Sequence, residues 1–498
     1  MWSRGMAPEG IRKKREQIMK NNLSTMLQAY GESDYYPLHM PGHKRRLFGN
    51  MPPEALKMDI TEIDGFDNLH AADGILKEAQ KEAAALYGAE ETFFLVNGST
   101  CGILSAISAA LQEGQRLLIT RNCHKSVYHG AYLRNLTISY LYPKIIEAYD
   151  ICEAVTAKEV EEALQKERNV GAVLVVSPTY EGRIAEIEKI AETVHKRGIP
   201  LIVDEAHGAH LGLYEGFAQN SCRLGADLVI HSVHKTLPAM TQTALLHVNG
   251  RLIDRDRLRR FLHIYQSSSP SYVLMAGIQN ALCLASEKDY FAAFEAEFQK
   301  MREQLLKCKV LKILAADRKT VGNPVRQDMG KIVVSCKGAG ISGQELYDTL
   351  RISYHLQLEM AAETYVLAMF TVGDTKEGFE RFTRAILEID GRLAEKSEVS
   401  SLGISVYGTR LREGMPFARA WEASGEGKTE WVFLHNAAGR IAGEFVNLYP
   451  PGTPLAVPGE IYSEVLLQEI DHFVKEGLNV QGIRCEGEKI VIPVLKNE

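Results

Sequence analysis

The chain of 498 residues is 45% hydrophobic and 24% charged, with a formal net charge of -6. This is globular composition, long enough for two or three domains, and its acidic balance without a basic tract excludes a nucleic-acid binder. There is no apolar run of about 18 residues and no signal-peptide core, so no membrane partner is expected. Its eight cysteines include no Cys-x-x-Cys pair, which points to free thiols in a cytoplasmic protein.

In chain order, residues 1–30 read as an N-terminal extension, basic up to about Asn22. Leu38 to Lys44 follows, a Pro41-Gly42 turn flanked by His39 and His43. It is either a surface turn or a loop at the mouth of a site. The acids from Asp59 to Asp67 lack the twelfth-position glutamate of a calcium loop, which excludes an EF-hand. Helical periodicity from Ile75 to Tyr87 stops at Gly88, a natural C-cap. Thr92 to Val96 is a predicted strand, followed by Asn97-Gly98-Ser99-Thr100-Cys101-Gly102 and a helix from Ile103 to Leu111. Free N–H groups at that helix start, with the Ser99 and Thr100 hydroxyls, make a candidate phosphate site; simple N-capping is the alternative. The strand Leu117 to Thr120 leads to His124, either a cap or a ring able to stack on a flat cofactor.

Strands are then expected at Ala172 to Val176 and Pro200 to Val203, with a helix from about Ile184 to Lys196 between them. The alternation predicts an α/β fold with a mostly parallel sheet covered on both faces. In such sheets ligands sit beyond the carboxyl ends of the strands. The second strand ends in Asp204-Glu205-Ala206-His207. A third, Leu228 to Ile230, ends in His231-Ser232-Val233-His234-Lys235-Thr236. A lysine there loses hydration and its pKa falls, which suits a Schiff-base amine. Ser232 and His234 are candidate phosphate donors. Asp204 is a candidate partner for a protonated pyridine nitrogen, so the pattern points to pyridoxal 5'-phosphate. A metal site from Asp204, His207 and His210 is disfavoured, because the spacing is poor and no third histidine is near.

These motifs closely resemble the bacterial ornithine/lysine/arginine decarboxylases, from about His39 to the C-terminus. The resemblance includes Tyr449-Pro450-Pro451-Gly452-Thr453-Pro454 and Pro458-Gly459-Glu460. It is to the short form without an N-terminal flavodoxin-like domain. It implies a fold-type I, aspartate aminotransferase-like large domain over residues 31–310 and a smaller α+β region over 311–498. It implies pyridoxal 5'-phosphate on Lys235, with Asp204 at the pyridine nitrogen, His124 stacked on the ring and His207 beside it. Ser99, Thr100, Ser232 and His234 would hold the phosphate. Gln266-Ser267-Ser268-Ser269-Pro270 resembles a segment that reaches a neighbouring subunit's cofactor, which implies a homodimer or higher homo-oligomer with Ser268 at a shared site. His43 and Glu460 are candidate substrate contacts. The implied activity is decarboxylation of a basic amino acid in polyamine biosynthesis, with arginine ahead of lysine and ornithine. Aminotransfer and aldol cleavage use the same Lys235 and Asp204 and remain alternatives; Arg351 and Arg440 are the arginines whose positions bear on them. A non-catalytic regulator lacks any visible partner module.

Further on, helices are predicted from Tyr272 to Ala285 and from Asp289 to Lys307. The strand Lys331 to Ser335 precedes a formal Gly-x-Gly-x-x-Gly at Gly338 to Gly343. Ser342 with Glu345 explains that stretch better as a capping box than as a dinucleotide site. Glu460 is expected to open a helical stretch.

Overall fold

The structure is a computed structural model that describes residues 22–46, 53–315, 327–394, 410–449, 452–487 and 489–496. The basic stretch before Asn22 and the Pro450-Pro451 pair lie outside the described residues. The central sheet has seven strands: β1 Glu91–Leu95, β2 Arg116–Thr120, β3 Thr137–Leu141, β4 Val170–Val176, β5 Leu201–Asp204, β6 Leu228–Ser232 and β7 Ala244–Val248. Their order is β1-β7-β6-β5-β4-β2-β3. The β6-β5-β4-β2-β3 run is parallel, and β7 pairs antiparallel with both β6 and β1.

Both faces of this sheet are covered, and the sequence of β4 shows why. Val173 and Val175 enter the core on one face, Ala172 and Leu174 that on the other. Leu201 and Val203 of β5 take the first face and Ile202 the second. A strand with two buried faces has no polar side, so it reads as a continuous apolar run. The helix Gly98–Ala110 lies on the second face. It approaches so closely that a Cβ on Gly102 would come within 2.8 Å of Leu95 and 3.1 Å of Ile230. It begins at Gly98, earlier than the predicted Ile103, so Ser99 and Thr100 occupy its first turn. The predicted helix Ile75–Tyr87 and its left-handed Gly88 cap are present as expected. Residues 23–32 form a helix, Leu23–Glu32, whose Leu23 and Leu27 join the large core beside Tyr272 and Ile278. That part of the expected extension thus packs as an element of the large unit.

Among the described residues after 310 lie most of two hydrophobic clusters, while a third, small one joins Val333, Met360 and Leu367 to Ile151. The first covers an antiparallel sheet of β8 Lys312–Leu314, β9 Lys331–Ser335, β10 Met360–Ala361 and β11 Tyr365–Met369, ordered β8-β9-β11-β10. The second gathers Val446, Leu455, Leu466, Ile470 and Ile492. The Ser342 capping box with Glu345 is formed, and the following helix Gly343–Ser353 leads into this antiparallel sheet. The glycine-rich stretch therefore opens no parallel dinucleotide half.

One polar chain crosses the large sheet. Glu205 accepts from the Ser221 amide at 3.2 Å and its hydroxyl at 2.6 Å, and lies 2.7 Å from His231 Nε2. His231 Nδ1 is 3.0 Å from His247 Nε2, and His247 Nδ1 is 2.7 Å from the Thr92 hydroxyl. Burial pushes Glu205 up to about 8 and His231 down to about 3. A protonated Glu205 donating to His231, His231 to His247, and His247 to Thr92 satisfies every member without a buried charge. Glu205→Ala should cost roughly 2–3 kcal/mol in urea unfolding, because Ser221 and His231 lose their partner. Glu205→Gln should stay within about 1 kcal/mol of wild type, since an amide reproduces both the donor and the acceptor. Equal losses in the two variants would refute the neutral chain.

Candidate active site

The carboxyl ends of the parallel strands open into a cavity of about 320 Å³. Ser99, His124, Asp204, His207 and Lys235 line it together with Tyr180, Glu181 and Glu359. Register explains the convergence of the first group. Val176 pairs with Asp204, and Asp204 with Ile230, so the chain leaves neighbouring strands at one level.

Asp204 ends β5, is buried, and accepts from the Ala206 amide at 3.1 Å. Burial raises its pKa while the Lys235 cation and the Ala206 amide pull it down. Lys235 lies in the single turn Val233–Thr236 that follows β6, with Nζ 3.0 Å from His207 Nε2. Burial lowers the lysine's pKa, against the attraction of Asp204 and Glu359. His207 is buried and held well below the ordinary histidine value by burial and by two cations, Lys235 and Lys331. The Tyr180 ring packs edge-on to it with centroids 4.7 Å apart. His124 caps the helix Lys125–Leu133, its Nδ1 3.2 Å from the Ser126 amide and 2.8 Å from the Ser126 hydroxyl. Burial, then the Lys235 and Lys125 charges, push His124 down to about 4, so the ring is neutral at pH 7. The capping and cavity-lining readings of His124 therefore hold together.

The remaining predicted positions divide. Ser232 Oγ is fully buried without a hydrogen-bond partner. His234 Nδ1 is 2.9 Å from the Thr243 carbonyl, which leaves Nε2 for another partner. Thr100 is exposed and does not line the cavity. Ser268 is exposed too, on a loop held by Ser267 N–H to Asn97 Oδ1 at 3.1 Å and by Val96 N–H to Gln266 Oε1 at 3.1 Å. His43 is pinned away from the cavity lining, 3.2 Å from Asp59 and accepting from the Arg45 amide at 3.0 Å.

Glu460 corrects an expectation. It begins a two-residue strand, Glu460–Ile461, and the helix starts later at Glu464. Its Oε2 is 3.1 Å from the Arg121 guanidinium and 2.8 Å from the Val457 amide, with Glu460 buried and Arg121 largely so. Arg121 also donates to the Pro454 carbonyl at 2.8 Å and raises its own pKa through Glu460 despite burial. Glu460 is thus held in an ion pair that fastens the C-terminal part to the rim of β2, and does not line the cavity.

Tyr180, Glu181 and Glu359 of the cavity lining carried no assigned role in the sequence, nor did Lys331, which contacts His207 from outside it. Tyr180 and Glu181 follow β4, a strand end like the others, and that was their signal. Lys331 comes from the second sheet and Glu359 from the segment just before β10, neither of which the large unit's alternation predicts. Tyr180 donates a short hydrogen bond to Glu359. Glu181 is fully buried, accepts from Thr179 and Tyr365, and burial raises its pKa. Arg351 pairs with Asp348, and Arg440 with Glu430 and the Leu495 carbonyl. No arginine lines the cavity among the described residues.

Comparison with known proteins gives a consistent set of likenesses. Residues 22–321 match the family model of the Orn/Lys/Arg decarboxylase major domain, and residues 403–475 its C-terminal domain. The chain is 32% identical over 497 residues to the protein YaaO of Bacillus subtilis, covering 96% of this chain and 100% of that one. It is 30% identical over 470 residues to an arginine decarboxylase of the same organism, covering 92% of this chain and 95% of the relative. The lysine decarboxylase of Francisella novicida superposes with a TM-score of 0.82 at 17% identity, over 99% of this chain and 84% of that one. At that identity the superposition speaks for the fold alone.

Removing the Glu460 carboxylate leaves a buried Arg121 without its counter-charge. Glu460→Ala should therefore lose about 3–5 kcal/mol of stability, with KM changed by less than about twofold in the folded fraction. A raised KM with unaltered stability would return Glu460 to the substrate.

Proposed function

This chain belongs to the Orn/Lys/Arg decarboxylase family and is an amino-acid decarboxylase, and we propose that it uses pyridoxal 5'-phosphate on Lys235 to decarboxylate arginine. The observation that carries this reading is the buried Lys235 amine, 3.0 Å from a neutral His207, in one cavity with Asp204 and His124.

The residues present suit the cofactor. Ser232 Oγ is a buried hydroxyl without a partner beside the lysine turn. Gly98, at φ +75, and Ser99 begin the helix Gly98–Ala110, whose N-terminus favours an anion. Asp204, in the cavity lining, would be the carboxylate for a protonated ring nitrogen, and His124 would offer a neutral ring to the cofactor. Ser99, Ser232 and His234 are the proposed phosphate partners. Thr100 is a weaker one, being exposed in the single chain. When bound, pyridoxal phosphate supplies the electron sink that accepts the pair left behind as carbon dioxide departs.

The chain's own groups do the rest. Burial lowers the pKa of the Lys235 amine and so favours the free base, the form able to join a carbonyl carbon. Asp204 holds a negative charge that favours a proton on the ring nitrogen opposite it. Ile103, Val176, Pro178 and Cys152 line the walls and exclude water, which favours loss of a charged carboxylate. Lys235 Nζ and His207 Nε2 are the proton-holding atoms at the reacting side, placed to return a proton to the α carbon. Glu359, with Tyr180, is an acid for the substrate's cationic end. The absence of a cavity-lining arginine among the described residues favours departure of the α-carboxylate over the retention that aminotransfer requires.

Arginine is preferred over lysine because the relatives named arginine decarboxylase cover 92% of this chain at 30% identity. The relative named lysine decarboxylase LdcA covers 56% at 26%. The product would be agmatine, consistent with a role in polyamine synthesis in the cytoplasm.

Purified protein supplied with pyridoxal phosphate should release carbon dioxide from arginine faster than from lysine or ornithine. Borohydride should fix the cofactor to Lys235, and Lys235→Ala should turn over negligibly. Asp204→Asn should fall on the order of 10²-fold in kcat. Label on another residue, or Asp204→Asn within about twofold of wild type, would defeat the assignment.

We also propose a homodimer with Ser268 facing the partner's cofactor, since its loop is exposed yet tied to the Asn97 turn. Sedimentation should give twice the chain mass, and mixed dimers of Lys235→Ala and Ser268→Trp subunits should regain activity. A fully active monomer would sink this reading.

A further inference from the structure

A second lysine is buried behind the first. Lys331 opens β9 and is 1% exposed. Its Nζ lies 2.7 Å from His207 Nδ1 and donates to the Tyr180 carbonyl at 3.4 Å; neither partner is a carboxylate. Its stem packs on the backbone of Gly182, where an added Cβ would meet Lys331 Cβ and Cγ at 2.7 Å. The opposite ring nitrogen, His207 Nε2, is the one 3.0 Å from Lys235. One imidazole therefore bridges two buried amines.

Proton counting restricts this bridge. A neutral imidazole has one N–H and one lone pair. If Lys331 is the ammonium, it donates to Nδ1. The ring proton is then on Nε2, which donates to a lone pair on Lys235, and Lys235 must be free base. If Lys235 is the ammonium, every direction reverses. With both bonds intact, at most one lysine carries a charge.

The surroundings choose between the two. Facing Lys331 are Asp328, Glu181 and Glu359, with the Tyr180 ring 5.6 Å from its Nζ. Asp328 is held ionised by His210 at 2.8 Å. Lys235 faces Asp204 and Glu359, and His124 and His234 stand with the two lysines around His207. Lys331 also has a second acceptor, the Tyr180 carbonyl at 3.4 Å, and the face of the Tyr180 ring, which suit the donating cation.

We propose that Lys331 is a positioning residue: its ammonium fixes His207 as the Nε2–H tautomer and thereby keeps Lys235 a free-base amine. This rests on reading Lys235 as the cofactor lysine, but concerns the protein before any cofactor is attached. Burial moves Lys331 itself down to about 8, so the arrangement is complete at neutral pH and weakens above that value. Lys331 thus couples the second sheet to the reactive amine of the first.

The test uses cofactor-free, full-length protein. Lys235 acetylation by acetic anhydride is followed against pH by peptide mass mapping, and the midpoint gives the amine's apparent pKa. In wild type it should lie well below the ordinary lysine value of about 10.4. In Lys331→Met the Nε2–H donor is no longer enforced and a neighbouring cation is lost. The midpoint should rise by about one pH unit or more. In Lys331→Arg, which keeps the charge, it should stay near wild type. A purely structural lysine would change folding or extent of labelling, not the midpoint.

A second readout needs no variant at position 331. The ¹⁵N spectrum of histidine-labelled wild type, with His207 assigned by loss of its signals in His207→Gln, should show the Nε2–H tautomer at pH 7. An unshifted midpoint in folded Lys331→Met, or an Nδ1–H tautomer in wild type, would overturn the proposal. Failure of the cofactor reading would look different: borohydride label absent from Lys235, with the acetylation midpoints still as expected.

Discussion

A lysine amine removed from water must find its partners in the protein, and that constraint organises this molecule. Lys235 stands on the turn after β6, where the sheet is covered on both faces. It keeps one close hydrogen-bond partner, His207, and one carboxylate in the same cavity, Asp204. Each partner is delivered from the neighbouring strand β5 by the parallel register. An apolar sheet interior and a polar rim follow from the same chain, since the parallel strands leave the core at the level where these groups meet.

The structure separates two kinds of buried polarity. The Glu205, His231, His247 and Thr92 chain runs from partner to partner inside the sheet and does not line the site cavity. Neighbouring residues in sequence do the opposite. Asp204 beside Glu205, and Ser232 beside His231, point to groups that lack a full complement: Ser232 Oγ has no partner. Alternation along a strand sends successive side chains to opposite faces. A single dipeptide can therefore serve stability on one face and chemistry on the other.

The cavity is closed by parts distant in sequence. Glu359 comes from the segment just before β10, and Tyr449 and Thr453 from the C-terminal part. Arg121 and Glu460 hold that last part against the β2 rim. Because a buried ion pair is costly to break by removing one partner, this fastening keeps the cavity's far wall in place. The electrostatic setting of Lys235 and His207 thus depends on more than one unit of the chain.

The sequence by itself determined five of the seven strands of the large sheet, and the rim; β3 and the antiparallel β7 were not legible in it. Apolar runs ending in polar clusters can only be buried parallel strands with a common edge, and the lysine, aspartate and two histidines fell on that edge. It also determined local devices whose partners lie within four residues, such as the Gly88 cap and the Ser342 capping box. Tertiary structure alone decided the rest. Glu460 looked free to meet a substrate because Arg121, its partner, lies 339 positions away. Lys331 read as the first residue of a strand, since nothing nearby in sequence shows that its amine meets His207, 124 positions away. Periodicity reports which face a side chain takes; it carries no information on which distant element comes to cover that face.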